Sequence, residues 1–472
     1  LTGPGAGGFL LARPPGGPAV LLDFFVAVPG LGPDGRRLRA EDLDAFTVPF
    51  GGAEQVFHIG PASVAVPGML AGLGEAGRRL GRLPMRDLVR PAVDLAREGV
   101  VISDEAGYLH RILAEMLTWS PAAKVVYADG DRVRLAGERL VFPGLADTLQ
   151  RFAESGPEVM YGGPLGERMV GHLAADGGLV TREDLAAYRV IEREPLRVGF
   201  RDVEVLTNPP PSSGGVLIGA ALHALDGRPR AATATDFYVE VARAGRRANG
   251  MRHPGFADDV GSEGFLERFW AALAAAGPPP RRPTGTTHAS AVDAAGGMAS
   301  LSSSNGSGSG VMVPGTGFLL NNMLGEEDLN PAGFGALPPG ARMTSMMAPT
   351  LLLRDGAPFA SLGAAGSNRL RSAILMTVAG LVDGGASPAA AVGRPRVHPE
   401  GDGVDVEGGV PPEAVQALAE DGFGLRLWER RNLFFGGVAA VAVRPGGMQA
   451  AGDPRRGGGA AGVTDDGEVV AL

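Results

Sequence analysis

Thr286 follows Gly285 in the run Thr284-Gly285-Thr286-Thr287-His288, well inside a chain of 472 residues. A threonine directly after a glycine is placed to attack the preceding carbonyl with its own hydroxyl, because Gly285 has no Cβ and tolerates the strained backbone that such an attack needs. Cleavage there would leave Thr286 with a free α-amine. Hydroxyl and amine on one residue make a compact nucleophile and base, since an α-amino pKa of about 7.7–8.0 lies near working pH. The self-cleavage pair is thus Gly285 and Thr286, and the chemistry it offers is acyl transfer through an ester on the threonine.

Elements on both sides must hold this residue in place. Upstream, Gly277-Pro278-Pro279-Pro280-Arg281-Arg282-Pro283 reads as an exposed linker, which gives a newly cut end room to move. Downstream, alternation predicts strands at 289–293 and 298–303 joined by a turn at Gly296-Gly297, with further strands at 317–320, 350–354 and 438–443. Residues 19–25 and 196–206 also read as strand, the latter ending at the proline cluster 209–211. Helical spacing marks 85–98, 145–154, 215–225, 232–252, 369–381 and 413–421. The pattern alone supports a mixed α and β protein.

Further landmarks follow Thr286 in a specific order. They are Asn305 inside a Ser/Gly-rich run, Gly317-Phe318-Leu319-Leu320-Asn321-Asn322, Thr344-Ser345-Met346-Met347-Ala348-Pro349-Thr350 and Ala364-Ala365-Gly366-Ser367-Asn368-Arg369. Upstream stand Gly7-Gly8-Phe9, Val66-Pro67-Gly68, Leu95-Ala96-Arg97-Glu98-Gly99, Asp184-Leu185-Ala186-Ala187-Tyr188 and Asn208-Pro209-Pro210-Pro211-Ser212-Ser213-Gly214-Gly215. Together these resemble the γ-glutamyltranspeptidase family across almost the whole chain. The resemblance implies an α+β fold, the four-layer αββα sandwich of N-terminal-nucleophile hydrolases, with Thr286 at the start of a central strand. It also implies a zymogen. Residues 1–285 would form the large-subunit region, truncated at its N-terminus relative to the family, and 286–472 the small-subunit region. Both would interleave in one globular unit and stay associated after autocatalytic cleavage.

Site roles follow from the same resemblance. Thr286 is the nucleophile, a hydroxyl from Ser303 or Ser304 supports it, with Ser304 the choice, and Asn305 contacts substrate. Gly366 and Ser367 match the pair whose backbone N–H groups bind the oxyanion, and Thr344 and Ser345 match the pair that holds the substrate carboxylate. Glu326, with Glu327 and Asp328 as alternatives, matches the acid that holds the substrate amine. Two positions depart from the family: Phe25 stands where an arginine grips the α-carboxylate, and Met323 where a Gln or Glu stands. The implied activity is hydrolysis or transfer of γ-glutamyl amides, glutathione among them, with water or an amine as acceptor. The departures leave open an acylase for glutaryl or apolar acyl groups, and, from another class, a non-catalytic scaffold. Arg342 and Arg369 are the candidates to replace the missing cation.

Composition bounds the partners. A net charge of −9 argues against nucleic acid. With no cysteine, disulfides and thiol catalysis are excluded. Seven histidines show no metal-ligand spacing, and His288 reads as structural because the terminal amine already supplies a base. No metal or other cofactor is expected, and no apolar run reaches membrane-spanning length. Any signal peptide would lie outside this sequence, so localisation is open between cytoplasm and export. Gly3-x-Gly5-x-x-Gly8 fits a dinucleotide pattern but has no strand before it, so it reads as a structural loop. Gly452-Asp453-Pro454-Arg455 reads as a packing landmark.

Overall fold

The computed structural model describes residues 2–49, 54–252, 256–273, 286–330, 332–464 and 466–472. Gly285 and the proline-rich linker lie outside the described residues. Before Thr286 the chain supplies strands β1 (Gly7–Arg13), β2 (Val20–Phe24), β3 (Ile191–Arg193), β4 (Leu196–Phe200) and β5 (Val203–Thr207). After it come β6 (Thr287–Val292), β7 (Met298–Ser304), β8 (Thr350–Arg354), β9 (Ala357–Ala365), β10 (Gly437–Arg444) and β11 (Gly447–Gly452).

These strands build two sheets, and each sheet draws from both sides of Thr286. One runs β6-β7-β1-β2-β3, the other β4-β5-β8-β9-β10-β11. Strand β1 pairs with β7 over its full length, Gly7 opposite Ser304 and Arg13 opposite Met298. Such pairing is what keeps the two segments in one body. The sequence expectation of a central strand after Thr286 is corrected here: β6 is the edge strand of its sheet.

Side-chain alternation along β2 builds two layers at once. Leu21 joins Phe9, Phe25, Leu206, Leu351 and Leu353 in the core between the sheets, whereas Leu22 and Phe24 pack outward with Met69 of α1 (Met69–Leu80). Helices α2 (Met85–Glu98) and α3 (Asp104–Ile112) follow α1 along the chain. On the far side, α4 (Ser213–Asp226), α5 (Ala234–Asn249) and α6 (Arg369–Val382) cover the second sheet and bury Phe200, Val205, Leu362 and Ile374 in the largest apolar cluster. Every residue of α6 is buried, which is the signature of an inner helix rather than a surface one. The layers are therefore helix, sheet, sheet, helix. Among the described residues no helix is long and apolar enough to cross a membrane.

Candidate active site

Thr286 stands one residue before β6 and is 6% exposed. Strand β6 pairs with β7 so that Thr287 faces Ser303 and His288 faces Ser302. Even-numbered residues of both strands turn toward the second sheet, which brings Thr286 and Ser304 to the same cleft. Ser303 points the other way and its hydroxyl bonds that of Thr2 at 2.8 Å. Of the two serines, Ser304 is the one that lines this cleft, and its Oγ also accepts the Gly306 N–H at 2.8 Å.

The same alternation carries Asn305 away from the cleft. Its amide donates to the Leu319 carbonyl at 3.2 Å, and it lines a separate cavity with Met116 and Phe318. Thr286 and Asn305 are thus not brought together.

His288 fixes the start of β6. Its ring is held by Ser302 Oγ at Nδ1 and by Ser290 Oγ at Nε2, each at 2.8 Å. Burial pushes its pKa down to about 3, so the ring is neutral and serves as an anchor. Gly363 of β9 gives that ring its space: a Cβ there would come within 2.3 Å of His288 Cε1.

Opposite Thr286, the chain leaves β9 through Gly366 at φ +125° and Ser367 at φ +57° and enters α6. Left-handed residues at a strand-to-helix turn converge backbone N–H groups, and the helix dipole adds positive potential there. Ser367 lines the cleft. Its hydroxyl reaches Asp328 Oδ2 at 3.4 Å, and a Cβ on Gly366 would meet Gly436 Cα at 2.6 Å.

Thr344 and Ser345 divide. Thr344 Oγ1 donates to the Pro211 carbonyl at 2.8 Å, which anchors the proline loop. Ser345 lines the cleft, its Oγ accepts the Met347 N–H, and its carbonyl takes the Ser213 N–H at the start of α4. Glu326 lies behind Gly306, where Oε1 accepts the Ser307 N–H at 3.0 Å. Burial pushes its pKa up to about 8 against the opposing Ser307 hydrogen bond. Asp328 is likewise raised by burial, to about 6, against the pull of Arg252.

Neither candidate arginine lines the cleft. Arg342 pairs with Asp23 at 3.5 Å, lies over the Tyr188 ring at 4.7 Å and donates to Phe25 O. Arg369 donates to Phe434 O and stacks on that ring at 4.6 Å. Apart from its hydroxyls and Gly306, the cleft wall is Phe25, Met323, Leu329, Met346, Met347 and Leu370. In the sequence Phe25 and Met323 are visible as departures from the family, whereas nothing local marks Leu329, Met346, Met347 or Leu370 as cleft wall.

Asp453 anchors the floor beyond Gly366. Burial raises its pKa, but Arg396 and Arg455 outweigh that and hold the carboxyl below the usual range. Arg455 also grips Glu407 at 2.6 Å. Among the described residues no cluster of three potential metal ligands occurs.

Comparison with known proteins bears on the family and the fold. The family model described as Gamma-glutamyltranspeptidase matches residues 1–463. The chain is 33% identical over 420 residues to an acylase ACY 1 proenzyme of Pseudomonas sp. (strain SE83), covering 82% of this chain and 73% of that one. It is 28% identical over 494 residues to the glutathione hydrolase proenzyme of Escherichia coli (strain K12), covering 96% and 82%. In structure it resembles a cephalosporin acylase from Bacillus halodurans, with a TM-score of 0.80, 25% identity, and coverage of 100% of this chain and 88% of that one.

Proposed function

Since the chain belongs to the γ-glutamyltranspeptidase family, we propose that it is a self-processing amidohydrolase and acyltransferase whose nucleophile is Thr286. Residues 1–285 and 286–472 are then the two subunits of the mature enzyme, and the strand pairing of β1 with β7 holds them together after the cut. The observation that carries this reading is the meeting of Thr286 and Ser304 across from the Gly366–Ser367 turn.

The reaction follows from those groups. The Thr286 hydroxyl attacks the amide carbonyl carbon while its own α-amine takes the proton, and Ser304 orients the hydroxyl. The oxyanion that forms is held by the backbone N–H groups of the turn, donors worth about 2.7–4 kcal/mol each in other enzymes. Collapse breaks the C–N bond, and the leaving amine takes the proton from the α-ammonium. Water or a second amine then attacks the ester and regenerates Thr286. The family's γ-glutamyl amides, glutathione included, are the leading donors.

A second reading concerns the acyl group. Among the described residues the apolar cleft wall offers no guanidinium for an α-carboxylate, whereas Asp328, with a pKa of about 6, stays ionised behind Ser367 at neutral pH. This favours an acyl group without a carboxylate at its far end, and an acylase is among the chain's relatives. Hydrolysis of γ-glutamyl, glutaryl and butyryl p-nitroanilides separates the readings. Preference for γ-glutamyl supports the first and preference for butyryl the second. A cleaved protein that turns over none of them would favour the scaffold alternative.

A further inference from the structure

Thr286 lines two spaces. One is the apolar cleft just described; the other is a separate cavity of about 340 Å³, bounded by α3, the start of β6 and the turn after β11. An acyl-transfer nucleophile needs two such spaces, one for the acyl group and one for the amine that leaves or enters.

The second cavity is chemically unlike the first. Three charged groups meet it from the turn after β11, and two of them are committed: Asp453 to Arg396 and Arg455, and Arg455 to Glu407. The third, Arg456, has no acid partner among the described residues. Its Nη2 donates to the Leu433 carbonyl at 3.1 Å, and its Nε is buried with no acceptor among the described residues. The stem lies over Gly437, where a Cβ would meet Arg456 Cδ at 2.7 Å, and this holds the guanidinium against the turn that faces Thr286. A buried guanidinium donor without an acceptor is an expensive arrangement that a carboxylate relieves. Across the cavity, α3 presents its N-terminal end, capped by Ser103, together with Glu105, which has no ion pair among the described residues.

We propose that this cavity is the subsite for the amine component of the reaction, and that Arg456 binds a carboxylate carried by that amine, as in an amino acid, a small peptide or an aminobenzoate. The assignment rests on the Thr286 reading above. Glu105 sets the charge limit: one carboxylate is matched by Arg456, whereas a second would face Glu105.

Calorimetry of the self-cleaved protein with 5-amino-2-nitrobenzoate and with 4-nitroaniline tests the subsite without reference to the acyl group. The carboxylated amine is expected to bind about 10- to 100-fold more tightly, the range of one charged hydrogen-bonded contact. R456Q is expected to bring the two affinities together. In the unsubstituted protein the preference should shrink at high ionic strength, a readout that survives if R456Q fails to fold. Equal affinities in the unsubstituted protein, or a preference that persists in folded R456Q, would overturn the proposal. A mass spectrum lacking the fragment that begins at Thr286 would instead overturn the reading on which it rests.

Discussion

Replacing Gly363 with alanine tests whether the His288 anchor positions the nucleophile. The added methyl would stand 2.3 Å from His288 Cε1, 2.6 Å from Nδ1 and 2.7 Å from Nε2. The ring cannot rotate out of the way without losing its bonds to Ser302 or Ser290. Restoring ordinary contact therefore requires β6 to retreat from β9 by about 1 Å. Overpacking of this kind costs about 1–3 kcal/mol, and a displacement of about 1 Å at a nucleophile two residues away costs about 100-fold in rate. Cell-free synthesis with the precursor followed by intact mass would measure this directly, with G363A accumulating uncut chain. Removing the ring makes room for the methyl, so G363A/H288A should cut faster than G363A alone, a coupling expected only of residues in contact. Unchanged cleavage in G363A, or a double variant no faster than the single, would refute the positioning argument.

Two further outcomes follow from the site. Because Ser304 shares the cleft with Thr286 and Asn305 turns away, S304A should slow anilide hydrolysis by at least about tenfold more than N305A, measured as kcat/KM. Glu326 has a folded pKa raised from 4.5 to about 8, so the folded state binds the extra proton between those values. Its contribution to stability is full below pH 4.5 and is lost as pH rises through 8. Urea midpoints should therefore fall from pH 5 to 9 by more in the unsubstituted protein than in E326Q, and parallel profiles would contradict the raised pKa.

Much of the architecture was legible in the chain because its elements obey simple periods. The helix at Met85–Glu98 and the strand at Thr350–Arg354 coincide with the sequence reading, since the first carries apolar residues at helical spacing and ends at Gly99, and the second is a run of leucines that ends at Asp355-Gly356. The reading of 196–206 as one strand misses a hairpin: Arg201 adopts φ +56° and its side chain reaches Asp383 at 2.9 Å, contacts made far along the chain. Residues 317–320 form only isolated bridges, to Gly5 and Met312, because that segment is shared between neighbours rather than laid along one strand. Strand β9 escaped notice since Ala, Ser and Gly dominate it and both faces are buried, which erases alternation.

The site divides in the same way. The Gly285-Thr286 pair, the Ser/Asn run and the Gly366-Ser367 turn are local signals that sequence can carry. That Ser304 and Asn305 face opposite ways follows from strand geometry once β7 is known to run through Ser304. The methionine wall and the placement of the Arg456 guanidinium depend on long-range packing, which no local pattern records.

Sequencing the N-termini of the purified protein, alongside its intact mass, addresses the central claim most directly. The account predicts two fragments, one beginning at Thr286, and a single uncut chain for T286A. Cleavage at any other bond, or a T286A variant that still cuts after residue 285, would contradict it.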